Sequence, residues 1–197
     1  QLNKGLKVKQ ILLGKNHDIT EFASKDANRY VLQSVHYNPE VKCVEAVDGK
    51  VLIRVPVVES DGEFPAVKTA GEKEPIDCII PVLAFKKALG NIPKSNLPVL
   101  GYDKLDSNGS ISLTTTDLDT EQAVTCKPVE GQFPNCTQVI PTEPATLTIS
   151  IAANVLKRVA DYAAKHATDD NQCVTFQFIN GDSPVRFAVQ IKDMDTK

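Results

Sequence analysis

Two periods of hydrophobic spacing organise the chain. Over residues 41–58 the run VKCVEAVDGKVLIRVPVV is dense in β-branched positions and broken once, at Asp48-Gly49. That pattern predicts two strands joined by a tight turn. IDCIIP, residues 76–81, predicts a short apolar strand. The spacing then changes. In PVLAFKKALGNIP, Val82, Phe85 and Leu89 stand at i, i+3 and i+7, which predicts a helix with one buried stripe. Pro81 suits its first turn, Gly90 its end, and Pro93 prevents continuation.

Further along, VLGYDKL, ISLTTTDLD and TEQAVTCKPV predict three strands, with Ser107-Asn108-Gly109 as a turn. TLTISI predicts another strand, AANVLKRVADYAAKH a helix, and CVTFQFI with PVRFAVQI two strands around Gly181-Asp182. Near the start, residues 8–13 read as a strand or a short helix, and FASKDANRYVLQ as helix or extended chain.

The order of these elements repeats. DGEFP at residues 61–65 returns as EGQFP at 130–134, so Phe64 and Phe133 stand 69 positions apart. Glu74-Pro75 and Glu143-Pro144 share that offset, and Lys86-Lys87 matches Lys157-Arg158 at an offset of 71. Strand pair, connector, then strand and short basic helix define a period of roughly 70 residues and about three units. Such units are expected to pair sheet to sheet and lay their helices on a common side. The outward positions are then Asn154, Arg158, Asp161 and Lys165 on the last helix, and Lys86, Lys87 and Lys94 on and after the preceding one.

Charge sharpens this picture. The 197 residues carry a formal net charge of −3, so cations gathered on helix faces would attract phosphate locally while the acidic exterior repels it. The hydrophobic share of 42% is enough for a real core. The longest apolar run, residues 78–85, is interrupted by Pro81 and too short to span a membrane. Five cysteines without a CxxC pair argue against the usual zinc and disulfide frameworks and fit reduced cytoplasmic thiols. His17, His36 and His166 lack metal-ligand spacing, and no phosphate-binding glycine motif is present. Asp117 and Asp119 share one side of a strand, and such Asp-rich strand ends are commonly turns. We expect no catalytic residues, no metal, no cofactor and no enzyme.

EGQFPNCTQVIP, AVDGKVLIRVPV, RYVLQSVHYN, and ISIAANVLKRVADYA followed by CVTFQFINGDSPVRFAVQI together resemble the bacterial sliding clamp, the beta subunit of the replicative DNA polymerase. The likeness covers most of residues 20–192. Asn135, Cys136, Thr137 and Gln138 stand where that family's connector is usually basic and aromatic. The resemblance implies a DNA-clamp-like α+β fold of tandem strand-helix-strands units, with antiparallel sheets outside and helices on one common face. Residues 1–141 would form a clamp-like domain of two units, the first degenerate, and 142–197 a further half-domain. It implies an oligomeric, cytoplasmic processivity or tethering protein around double-stranded DNA, without sequence readout. Lys86, Lys87, Lys94, Lys157, Arg158 and Lys165 would meet phosphates. Polymerase or repair-protein peptides would dock at Val47, Asp48, Gly49, Lys50, Val51 and Leu52, with Pro134, Gln138 and Val139. Phe64 and Phe133 read as connector anchors packed into the sheet. The alternative is a clamp-fold adaptor that does not encircle DNA.

Overall fold

The computed structural model describes residues 10–60, 77–92, 99–104, 109–116, 120–166, 173–178 and 184–189. Phe64, Lys94, Asp117, Asp119 and the Gly181-Asp182 turn lie outside the described residues. The chain divides into two compact units, Gln1–Ile140 and Pro141–Lys197.

In the first unit a leading strand, β1 (Gln10–Leu12), is followed by 3-10 turns at Lys15–His17, Thr20–Phe22 and Ala27–Gln33. Three strands follow as a meander: β2 (Ser34–Asn38), β3 (Cys43–Val47) and β4 (Leu52–Pro56), then a short β5 (Val58–Ser60). The plan then recurs. β6 (Cys78–Pro81) runs straight into helix α1 (Val82–Gly90), and a second meander follows as β7 (Val99–Lys104), β8 (Ile111–Thr116) and β9 (Glu121–Cys126).

Neither half closes its own sheet. β1 lies antiparallel beside β7, and β6 lies antiparallel beside β2. The leading strands are thus exchanged, giving a five-stranded sheet β5-β1-β7-β8-β9 and a four-stranded sheet β4-β3-β2-β6. All pairings are antiparallel, and the class is mixed α+β.

α1 touches β8 and β9 of one sheet and β2 and β6 of the other. Phe85, Ala88 and Leu89 form its buried stripe, while Val82 is only half-buried at the edge of the core. Ala88 widens the stripe on the side away from Val82, and Val82 is left half-buried as the first residue of the helix, directly after β6. Val35, Tyr37, Val44, Ala46, Ile80 and Leu113 are fully buried around it. Burying each of the Val, Ile and Leu side chains among them stabilises the fold by about 1.5–3 kcal/mol before ordering entropy is subtracted.

The second unit holds α2 (Ala153–His166) and a hairpin of β10 (Val174–Gln177) and β11 (Arg186–Val189). Val174 pairs with Val189 and Phe176 with Phe187, whose rings meet edge to face at 5.0 Å. α2 touches β10, and Ala163 is its one fully buried residue. The TLTISI segment departs from expectation: residues 146–151 are coil, not strand. Their alternation encodes a face for packing, but no described strand lies beside them to complete a ladder. Among the described residues no helix is long and apolar enough to cross a membrane.

Candidate functional site

The β3–β4 hairpin and the connector after β9 meet in the first unit. At the hairpin tip Asp48 N–H donates to the Val51 carbonyl at 3.2 Å. The Asp48 carboxylate accepts from Val51 N–H at 2.8 Å and Lys50 N–H at 2.7 Å. Those two donors hold its carboxyl below the usual carboxylate range. Gly49 takes φ +97°, a left-handed conformation that side chains rarely adopt. The turn therefore presents Gly49, Lys50 and Val51 to solvent, with Asp48 half-buried.

Val47 and Leu52 flank the tip and turn inward. They pack on a cluster of Ile79, Phe133 and Cys136 together with Val31, Leu32 and Val129. Phe133 is buried, as expected of a connector anchor. The connector is tied down at both ends of this cluster. Val129 N–H donates to the Ile79 carbonyl at 2.8 Å, and the Asn135 side chain caps the 3-10 turn Cys136–Gln138 through Thr137 N–H. Pro134, Gln138 and Val139 remain exposed, Val139 at 70%. Hairpin and connector positions are thus brought to one surface, with Val31, Leu32 and Val129 added to the sequence-derived set.

Beneath that surface lies a polar network that motif spacing did not reveal. Glu45 is fully buried, yet it carries a carboxylate. Arg54 Nε donates to Glu45 Oε1 at 2.6 Å, with Arg54 Nη2 on the same oxygen. His36 Nδ1 lies 3.0 Å from Glu45 Oε2, and His36 Nε2 lies 3.1 Å from Asp77 Oδ1. Arg54 Nη2 also donates to Thr137 Oγ1 of the connector at 3.1 Å, and Phe133 stacks on the His36 ring at 4.6 Å. Burial works against charge on His36, but its bonds to Glu45 and Asp77 outweigh burial and raise its pKa. Burial likewise opposes charge on Glu45, and its bonds to His36 and Arg54 outweigh it, so that pKa falls. Burial and the Glu45 charge push the Cys43 thiol up to about 12 and the Cys136 thiol up to about 11, which keeps both protonated and unreactive. The signal was present in strand register: His36 faces Glu45, and Glu45 faces Arg54, across adjacent antiparallel strands.

The cationic positions fall on helices. Lys86 and Lys87 are exposed on α1, and Lys86 borders a cleft of about 360 Å³ with Lys15 and Asp18. Lys15 is a cation that the helical spacing did not single out. On α2, Lys157, Arg158 and Lys165 are all exposed, together with Asn154 and Asp161. Lys157 Nζ lies 3.2 Å from Asp161 Oδ2, an exposed i,i+4 pair. Among the described residues no group of His, Cys, Asp and Glu is placed to hold a metal.

No protein-family model matches the chain, and no curated protein matches it.

Proposed function

We propose that this protein is a clamp-like, non-enzymatic tether that assembles as an oligomer around duplex DNA and holds polymerase or repair proteins there. One observation carries the reading: in the first unit, two strand-led halves exchange their leading strands and α1 lies across both resulting sheets. Sheets backed by a helix whose other face is cationic make the kind of module that the sliding-clamp resemblance implies. Lys86 and Lys87 on α1, with Lys157, Arg158 and Lys165 on α2, supply loose, screened contacts to phosphate. Such contacts position without reading bases, as sliding requires. Partner peptides dock where the hairpin tip meets the connector, at Val51 and Val139 beside the Val47 and Leu52 floor. The thiols and the composition fit the cytoplasm.

A second reading, a clamp-fold adaptor that never encircles DNA, is favoured by one detail. Asp161 already holds Lys157, so part of the α2 charge is spent within the chain.

The test is retention on nicked circular against linearised plasmid, with a salt titration of direct binding. The tether is retained on circles, is lost on linearisation, and shows weak contact that falls steeply with salt. Lys86→Glu with Lys157→Glu abolishes DNA association and shifts stability by no more than about 0.5 kcal/mol per site. A monomer indifferent to DNA at low salt leaves the adaptor. A large loss of thermal stability in the double variant shows instead that these lysines are structural.

A further inference from the structure

A cleft of about 520 Å³ opens on the first unit where the 3-10 turn Ala27–Gln33, the end of β6 and the first turn of α1 come together. Pro81, Val82 and Leu83, the N-cap and first two residues of α1, form one wall. No side chain caps that helix end and no acidic residue stands in its first turn, so its positive end is uncompensated. Ser34 lies opposite Pro81 across the β2–β6 ladder. Alternation along β2 sends Val35 and Tyr37 into the core that α1 covers. Ser34 therefore falls on the other face, with His36, where Val129 forms a further wall of the cleft. Ser34 is 1% exposed, and its hydroxyl has no hydrogen-bond partner among the described residues. That hydroxyl is not sealed from solvent, so it opens on the cleft. The other hydroxyls there are engaged: Thr20 Oγ1 donates to Asp18 at 2.6 Å, and Ser24 Oγ accepts from Asp26 N–H at 3.1 Å. Lys25 borders the cleft, exposed and without an ion pair among the described residues. No Asp or Glu borders it, whereas the Lys15–Lys86 cleft holds Asp18.

We propose that this cleft binds a small carboxylate carried on a compact apolar body. The first-turn N–H groups of α1 and the Ser34 hydroxyl supply donors for the carboxylate oxygens, as helix N-termini do for anions. Charge sets the class of the head group. One lysine and one helix end match a single negative charge and leave a phosphate dianion under-compensated. The walls set the class of the body. Leu83 is 83% exposed and Tyr30 59%, with Val82 and Val129 beside them. Covering them removes apolar surface from water, which a bare inorganic anion does not do. The volume is that of a small-molecule site. Occupancy also bears on the connector: Val129 N–H is the group that holds the Ile79 carbonyl at 2.8 Å, so a ligand lying over Val129 steadies that end of it. Two sources offer this chemistry, a free carboxylic acid and the C-terminal carboxylate of a chain that ends in an apolar residue.

The inference needs neither DNA nor a partner protein, so its test uses the full-length chain alone. Sodium 4-methylpentanoate shifts the NMR amide signals of Leu83 and Ala84 along a saturable curve, while inorganic phosphate and the uncharged 4-methylpentanamide leave them unmoved. N-acetylleucine, which mimics a chain end, separates the two sources. Binding at least as tight as that of 4-methylpentanoate favours a chain end, weaker binding favours a free acid, and both uphold the cleft. Ser34→Ala raises the dissociation constant of 4-methylpentanoate about two- to tenfold, and Lys25→Gln about threefold. Leu83→Asp places a resident carboxylate at the helix N-terminus on an exposed position. It keeps the thermal unfolding midpoint and abolishes binding. A wild type without a saturable shift overturns the proposal, as does phosphate or the amide binding as tightly as the acid. Undiminished binding in Ser34→Ala or in Leu83→Asp overturns it as well.

Discussion

Glu45 is the residue on which the hairpin–connector surface depends most. A buried carboxylate is costly unless its charge is met, and Arg54 and His36 meet it. Arg54→Met removes one partner and leaves the buried carboxylate with His36 and the weak donor Cys43 Sγ. We expect a loss of about 3 kcal/mol, read as a lower denaturant midpoint. The same network sets a pH dependence. The pKa of His36 lies above its ordinary 6.5, so its contribution is complete below pH 6.5 and is lost as pH rises through the higher folded value. Glu45 lies below its ordinary 4.5, so its contribution is complete above pH 4.5 and is lost as pH falls through the folded value. Stability from the network is therefore greatest between these two ordinary values. Thermal melts against pH should show an alkaline decline in the wild type that His36→Gln flattens.

At the scale of the element, the strand that both halves need is β6. Ile80 is fully buried there, and β6 both pairs with β2 and leads into α1. Ile80→Ala is expected to cost about 2–5 kcal/mol. Amide exchange should then quicken in β2 and in α1 together, since one strand holds both. An effect confined to β6 would show that it is a local edge. Elements whose stability is decided locally were the ones readable in the sequence. The β3–β4 hairpin announces itself through Asp48-Gly49 between β-branched runs, and α1 through its period and its flanking Pro81 and Gly90. Where two local signals compete, the reading blurs. Residues 27–33 read as helix or extended chain and fold as 3-10 turns, with Arg29 in a non-helical conformation. TLTISI reads as a strand and is coil, because a strand exists only with a neighbour.

At the scale of the molecule, the information that was hidden is non-local. Nothing in QIL announces that β1 belongs beside β7 rather than beside its own meander. His36, Glu45, Arg54 and Asp77 were likewise invisible as a group, since spacing along the chain does not report register across three strands. The mixed α+β class and the burial of Phe133 were readable, because composition and repeated connectors carry them.

The exchange of leading strands also has a consequence for synthesis. Leu12 pairs with Val58 on one side, but its partner on the other side is Gly101. The edge of β1 that faces β7 stays open until almost ninety further residues are made, even after β5 has covered the other edge, and early closure of it on another nascent chain would be a misassembly. A slow or chaperone-assisted first folding step follows from that topology alone.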